Sequence, residues 1–263
     1  MSVIALLSDL GYNDTGVAKT KGILLERLPH TQLIDVTHNI TPYYLQQAAY
    51  LLASSVNGLA ENSFHVLLFD MYYAPEVKML LAEWEGRKIL APDNGVLPLA
   101  FHGKEVSTRL CYTMNDKGSR TAWVTAVADV IARLQNNGTD GAGYTPYEAN
   151  TAAGQFLPFI TANSIEGHVI HIDNFGNVVL NITKEQFEQA AAGRSFTVNF
   201  VRENVTSISS HYNSVNKYDK LCRFNSNGYL EISINRGNAA ELFGLKLKRP
   251  EQLVYTTIKI DFE

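Results

Sequence analysis

The feature that most restricts the fold is the opening run Val3-Ile4-Ala5-Leu6-Leu7, which stops at Ser8-Asp9-Leu10-Gly11-Tyr12-Asn13-Asp14. An apolar run without alternation is the pattern of a strand covered on both faces, as in a parallel sheet with helices on each side. The carboxyl ends of such strands are where α/β sheets hold ligands. Asp9 is therefore expected at the rim of a sheet, with Asp14 a short step further on. Two acids in one turn repel phosphate but suit vicinal hydroxyls, an ammonium or a metal ion. The competing reading is local, because aspartate is also a favoured helix N-cap.

The next residues repeat the arrangement. Val17, Leu24, Leu25 and Leu28 fall on one helical face, and Pro29 ends that helix. Leu33 to Val36 reads as a second strand finishing in Thr37-His38-Asn39, and Ile40-Thr41-Pro42 leads into a helix bearing Leu45, Ala48, Ala49, Leu52 and Val56. A third strand, Phe64 to Phe69, ends on Asp70 and runs into Met71-Tyr72-Tyr73-Ala74-Pro75. Met79 to Trp84 and Lys88 to Leu90 make an expected hairpin, followed by a tight turn at Asn94-Gly95. A strand near Val106 to Tyr112 precedes an amphipathic helix with Trp123, Val127, Val130, Ile131 and Leu134, after which Asn136 to Gly143 has the composition of a loop.

From Gly167 the pattern is mostly strands: His168 to Ile172, Val178 to Ile182, Phe196 to Phe200, Val205 to Ser209, Leu221 to Phe224, Tyr229 to Ile234 and Val254 to Ile260. Thr183-Lys184-Glu185-Gln186 matches a capping box, and Asn238 is placed to cap a brief helix over Ala239 to Phe243. The expected organisation is an α/β domain with a mostly parallel sheet over 1–145, a linker over 146–163, and a smaller mainly-β barrel or sandwich over 164–263.

Composition narrows the partners. A chain of 263 residues, 46% hydrophobic, can build two such cores, and a net charge of -4 gives no basic face for nucleic acid. No run reaches membrane-spanning length and no secretion leader opens the chain, so a cytoplasmic protein without a membrane partner is expected. Cys111 and Cys222 lie in no CxxC, and His168 and His171 fall on opposite faces of one strand, so no metal is expected. Walker, Rossmann and nucleophile-elbow signatures are absent.

Five motifs occur in order: Ser8-Asp9-Leu10-Gly11, Asp35-Val36-Thr37-His38, Ala91-Pro92-Asp93-Asn94-Gly95-Val96-Leu97, Asp173-Asn174-Phe175-Gly176-Asn177 and Asn225-Ser226-Asn227-Gly228-Tyr229-Leu230. The series resembles the S-adenosylmethionine (SAM) hydroxide adenosyltransferases and the related SAM-dependent fluorinase and chlorinase, over nearly the whole chain. The resemblance implies an α/β domain, a β domain, a homotrimer with SAM between subunits, and attack of hydroxide or halide on ribose C5′. It implies that Asp9 takes the ribose hydroxyls, with Asp14, Tyr43 and Tyr73 as further first-domain pocket positions. In the second domain Asp173 would take the methionine ammonium, Ser226 its carboxylate and Asn177 the adenine edge, with Phe175 and Asn238 in the same substrate-binding set. Aromatic residues also suit a sulfonium, a cation that favours π faces.

Hydroxide-using members position water with a carboxylate, an arginine and a histidine. Here Asp70 stands at the acid position, Val77 at the arginine and Ala122 at the histidine, with Lys78 as the neighbouring cation. The expected activity is SAM hydrolysis to adenosine and L-methionine, with SAM as substrate and no cofactor. The alternatives are a SAM- or adenosine-binding protein without turnover, and an enzyme acting on another nucleoside.

Overall fold

The computed structural model describes residues 2–115, 119–151, 157–247 and 257–263. The chain divides into two compact units, Met1–Gly154 and Gln155–Glu263.

The first unit runs β1 (Ser2–Ser8), α1 (Gly16–Arg27), β2 (Thr31–Thr37), α2 (Leu45–Gly58), β3 (Phe64–Leu68), β4 (Val77–Trp84), β5 (Arg87–Pro92), α3 (Val96–Ala100), β6 (Thr108–Met114), α4 (Arg120–Gly141) and β7 (Thr145–Pro146). The strands form one sheet in the order β2-β1-β3-β5-β4-β6-β7. β2, β1, β3 and β5 are mutually parallel, whereas β4 and β7 run against their neighbours. Most of the sheet therefore points one way. The unalternating run of β1 is buried from Ile4 to Ser8, as a strand covered on both faces requires. One cover holds Leu24 of α1 and Leu28 just after it with Trp123, Val127 and Ile131 of α4. The other holds Ala48, Leu52 and Val56 of α2 with Val96 and Leu97 of α3.

The order 2-1-3 is what places a site. The chain leaves β1 for one neighbour through α1 and returns to its other neighbour through α2, so the crossovers diverge between β1 and β3. That divergence is a topological switch point, the place where open α/β sheets hold ligands beyond the strands' carboxyl ends.

The second unit contains β8 (Phe159–Ile160), β9 (Ser164–Gly167), β10 (Val169–Ile172), β11 (Val178–Thr183), α5 (Lys184–Ala191), β12 (Phe196–Phe200), β13 (Glu203–Val205), β14 (Lys220–Phe224), β15 (Tyr229–Ile234), α6 (Ala239–Phe243) and β16 (Ile258–Phe262). Its antiparallel sheets, β10-β11-β15-β14 and β13-β12-β16-β9-β8, share an apolar core that includes Leu180, Ile232, Val198 and Ile260. The capping box forms: Thr183 Oγ1 accepts from Gln186 N at 3.2 Å and Gln186 Oε1 accepts from Thr183 N at 3.0 Å.

Several expected boundaries move for physical reasons. Asn136 to Gly143 is not a loop, because α4 continues to Gly141 past a break at Gly138. Bonds from Thr139 to Glu83 and from Arg109 to Asp140 hold this polar segment to the sheet. The short α3 contains Pro98, which is tolerated in a first helical turn because its missing N–H has no partner to lose. Leu25 lies exposed beside the buried Leu24. The strand expected over Val205 to Ser209 ends at Val205, where the chain leaves β12 and bridges to β14 at Ile208 and Cys222. Of the expected Val254 to Ile260 strand, 254–256 lie outside the described residues, and β16 spans Ile258–Phe262. Thr145 and Pro146 pair with β6, and Asn150 N donates to Asp93 Oδ1 at 2.7 Å, so this stretch adheres to the first unit.

Candidate adenosyl site

Because β1, β2, β3 and β5 are parallel, Asp9, His38, Asp70 and Asp93 all follow strand ends at one rim. β4 runs the other way, so its first residues, Val77 and Lys78, reach the same rim, where Lys78 O accepts from Asp93 N at 2.9 Å.

Asp9 and Asp70 meet across the switch point. Asp9 N donates to Leu68 O at 3.3 Å, and Asp9 Oδ2 accepts the backbone N–H of Asp70 at 3.0 Å. Burial raises the Asp9 carboxyl above its usual range against the opposing pull of that bond. Burial raises Asp70 too, and the neighbouring Asp9 charge raises it further. Asp70 sits at φ 46°, a left-handed conformation that aspartate tolerates better than most residues, on a turn closed by Tyr73 N to Asp70 O at 3.3 Å. Asn94 supports it by donating to Phe69 O at 3.1 Å. Asp9 is not a helix cap, since α1 begins at Gly16.

Thr15 stands at the N-cap without a side-chain bond, and Asp14 before it accepts the first helical N–H, Gly16 N to Asp14 Oδ1 at 2.6 Å. Arg120 lies beside it: a Cβ on Gly16 would meet Asp14 Oδ1 at 2.9 Å and Arg120 Nη1 at 3.1 Å. Tyr73 is half-buried against the α1/α4 core, and burial followed by the Asp93 charge raises its hydroxyl pKa. Tyr43, at φ 63°, is 73% exposed on the loop after β2.

The cation positions have other occupations. Val77 is 1% exposed and lies in the apolar core with Trp123. Lys78 Nζ bonds the Tyr147 hydroxyl at 3.1 Å and lies 3.7 Å from Glu76. Ala122 fills the first turn of α4, where its N–H is capped by Ser119 Oγ at 3.2 Å.

In the second unit the β10–β11 turn is built on Asp173. Its Oδ1 accepts from Phe175 N at 2.8 Å and Asn177 N at 2.9 Å, and its Oδ2 accepts from Asn177 Nδ2 at 2.8 Å. Gly176 is required there at φ 80°, because a Cβ would stand 2.0 Å from Asn238 Oδ1. Asn238 caps α6 through Glu241 N at 2.9 Å, and Ala240 N donates to Gly176 O. Asp173, Asn177 and Asn238 thus form one patch, with Phe175 75% exposed on it.

Ser226 is not part of that patch. Its turn joins β14 to β15 beside Thr183 and Lys184, with Lys184 N donating to Gly228 O at 2.7 Å, whereas the Asp173 turn enters β11 at Val178. The two turns occupy opposite ends of the sheet. Arg236, which the sequence pattern does not single out, follows β15 at the Asp173 end and sits at φ 57°.

Among the described residues, no group of three or more His, Cys, Asp or Glu is placed to hold a metal ion, and no helix is long and apolar enough to cross a membrane.

Comparison with known proteins matches both units. Residues 4–142 match the SAM hydroxide adenosyltransferase N-terminal domain, and residues 167–252 match its C-terminal domain. A protein named (R)-S-adenosyl-L-methionine hydrolase from Methanocaldococcus jannaschii is 24% identical over 271 residues, covering 97% of each chain. A protein named fluorinase from Actinoplanes sp. is 24% identical over 284 residues, covering 93% of this chain and 94% of its own. The crystal structure of an uncharacterized conserved protein from Thermotoga maritima aligns with a TM-score of 0.79 at 21% identity over 98% of this chain and 99% of that one, a likeness of fold. With both domain families matched in order, one of them over the sheet that carries Asp9 and Asp70, the chain belongs to the SAM hydroxide adenosyltransferase family.

Proposed function

We propose that this protein hydrolyses SAM, directing water onto ribose C5′ to give adenosine and L-methionine. The observation that carries the reading is the Asp9–Asp70 pair at the β1/β3 switch point, in a chain of this family. Relatives named SAM hydrolase and fluorinase support the same substrate.

The roles follow from the two environments. Asp9 accepts from the ribose diol, for which a carboxylate's two oxygens are suited. Asp70 orients water and takes its proton, and a carboxyl with a raised pKa is the better base for that step. The water oxygen bonds to C5′, the C5′–S bond breaks, and its electron pair leaves on sulfur as the methionine thioether. One proton is released. Asp173 supplies an acid for the methionine ammonium, and Arg236, at the same end of its sheet, replaces Ser226 as the group for the carboxylate. This mechanism needs neither an arginine at Val77 nor a histidine at Ala122, and it takes Lys78 to be held by Tyr147 rather than by the nucleophile. SAM enters as substrate and no cofactor is invoked. The same reading takes the protein to be a cytoplasmic homotrimer, as expected from its sequence and resemblance.

Incubation with SAM, with adenosine and methionine followed by chromatography, tests the reading. Equal amounts of both products above a protein-free control are expected. Asp9→Ala should weaken adenosine binding about 10–100-fold, the scale of lost hydrogen bonds to a charged group. Saturable SAM binding without products would instead establish a binding protein.

A further inference from the structure

The end of β1 is held by a chain of side chains that the mechanism above does not use. His38 is 1% exposed and Ser8 is fully buried, and Ser8 Oγ lies 2.6 Å from His38 Nδ1. His38 Nε2 lies 3.1 Å from Asp35 Oδ1, and Asp35 Oδ2 lies 2.5 Å from Lys21 Nζ on α1. The Asp35 carboxylate favours a proton on Nε2, which leaves Nδ1 to accept from the Ser8 hydroxyl. Ser8 Oγ then accepts the N–H of Leu10 at 3.3 Å.

A serine, histidine and aspartate in hydrogen-bonded series is the arrangement of a nucleophilic triad. Complete burial of Ser8 denies its oxygen any substrate. The geometry serves the turn instead. His38 O accepts from Gly11 N at 2.6 Å, and Ser8 O accepts from Ile40 N at 3.2 Å. Asp9 is thus flanked on both sides by groups tied to His38 or the residues after it, and the Tyr12 ring packs edge-on against the His38 imidazole at 5.3 Å.

We propose that His38 is a positioning residue for Asp9, fixing the turn from Ser8 to Gly11 so that the carboxylate is presented to a ribose diol. The inference rests on the adenosyl-site reading. It assigns His38 no contact with substrate: it acts through Ser8 and the turn backbone.

The test compares adenosine with 2′,3′-dideoxyadenosine, which lacks the diol, by calorimetry on the full chain. Two replacements separate the imidazole's two bonds. His38→Asn carries its amide near the Nδ1 position and keeps a partner for Ser8. His38→Gln carries its amide near Nε2 and forfeits that partner. The expected result is about tenfold weaker adenosine binding in His38→Gln, the scale of one bond within a charged network, with His38→Asn within about threefold of wild type. Dideoxyadenosine binding should be the same in all three, and for SAM turnover KM should rise while kcat holds. Where His38→Gln does not fold, Asp35→Asn, at a half-exposed position, should show the same diol-selective loss at smaller amplitude. Equal losses for both nucleosides, or unchanged adenosine binding in a folded variant, would overturn the positioning role. Wild-type protein binding neither nucleoside would remove the adenosyl reading and this proposal together, which tells the two failures apart.

Discussion

At the scale of residues, the account turns on two carboxylates kept in an environment that suits neither charge. Asp9 and Asp70 are raised mainly by burial, and Asp70 also by its neighbour. A carboxyl with a raised folded pKa binds more protons folded than unfolded, so its cost to stability sets in as pH rises past the unfolded value of 3.8, is complete above the raised folded pKa, and vanishes below the unfolded value. Asp70→Asn removes the charge while keeping a residue that accepts φ 46°. We expect its melting temperature to rise at neutral pH by less than about 2 °C, because solvent screens this part-exposed carboxylate. That gain should shrink as pH falls toward the acid range, and hydrolysis should be lost. Melting curves at several pH values check this; a gain that does not depend on pH would contradict the like-charge account. Stability sacrificed at a working site is the ordinary trade of a functional carboxylate pair.

At the scale of elements, the strand ends explain why part of the site was legible in the sequence. Asp9 and Asp70 end apolar runs, and any parallel arrangement of those runs brings the two residues to one rim. Asp173 and Asn177 were legible because a short turn keeps them together. The separation of Ser226 from the Asp173 turn was not, because strand order within the second unit is set by pairing between distant segments. Asp14 bonds the first N–H of α1 and Asn238 caps α6, local roles that use the same residue types as a ligand site. His38 was visible only as part of a motif, since its partners Ser8 and Asp35 come from two strands. The element-level prediction concerns β4. Val77 faces the α1/α4 core, so Val77→Arg should bury an unpaired guanidinium and destabilise the protein by about 3 kcal/mol or more, measured by denaturant unfolding. A stable variant would mean that the start of β4 can admit the family arginine.

At the scale of the whole molecule, family membership and the carboxylate pair at the switch point converge on one chemistry, and the resemblance adds an assembly. Light scattering coupled to size exclusion should return three times the chain's 29.2 kDa; a mass equal to one chain would contradict the homotrimer. The central claim is narrower: water attacks C5′ at the rim where Asp9 and Asp70 meet. Turnover of SAM in water labelled with heavy oxygen, with the products read by mass spectrometry, tests it most directly. The account predicts adenosine carrying the label at its 5′ hydroxyl and methionine carrying none. Unlabelled adenosine, or no adenosine above the protein-free control, would contradict it.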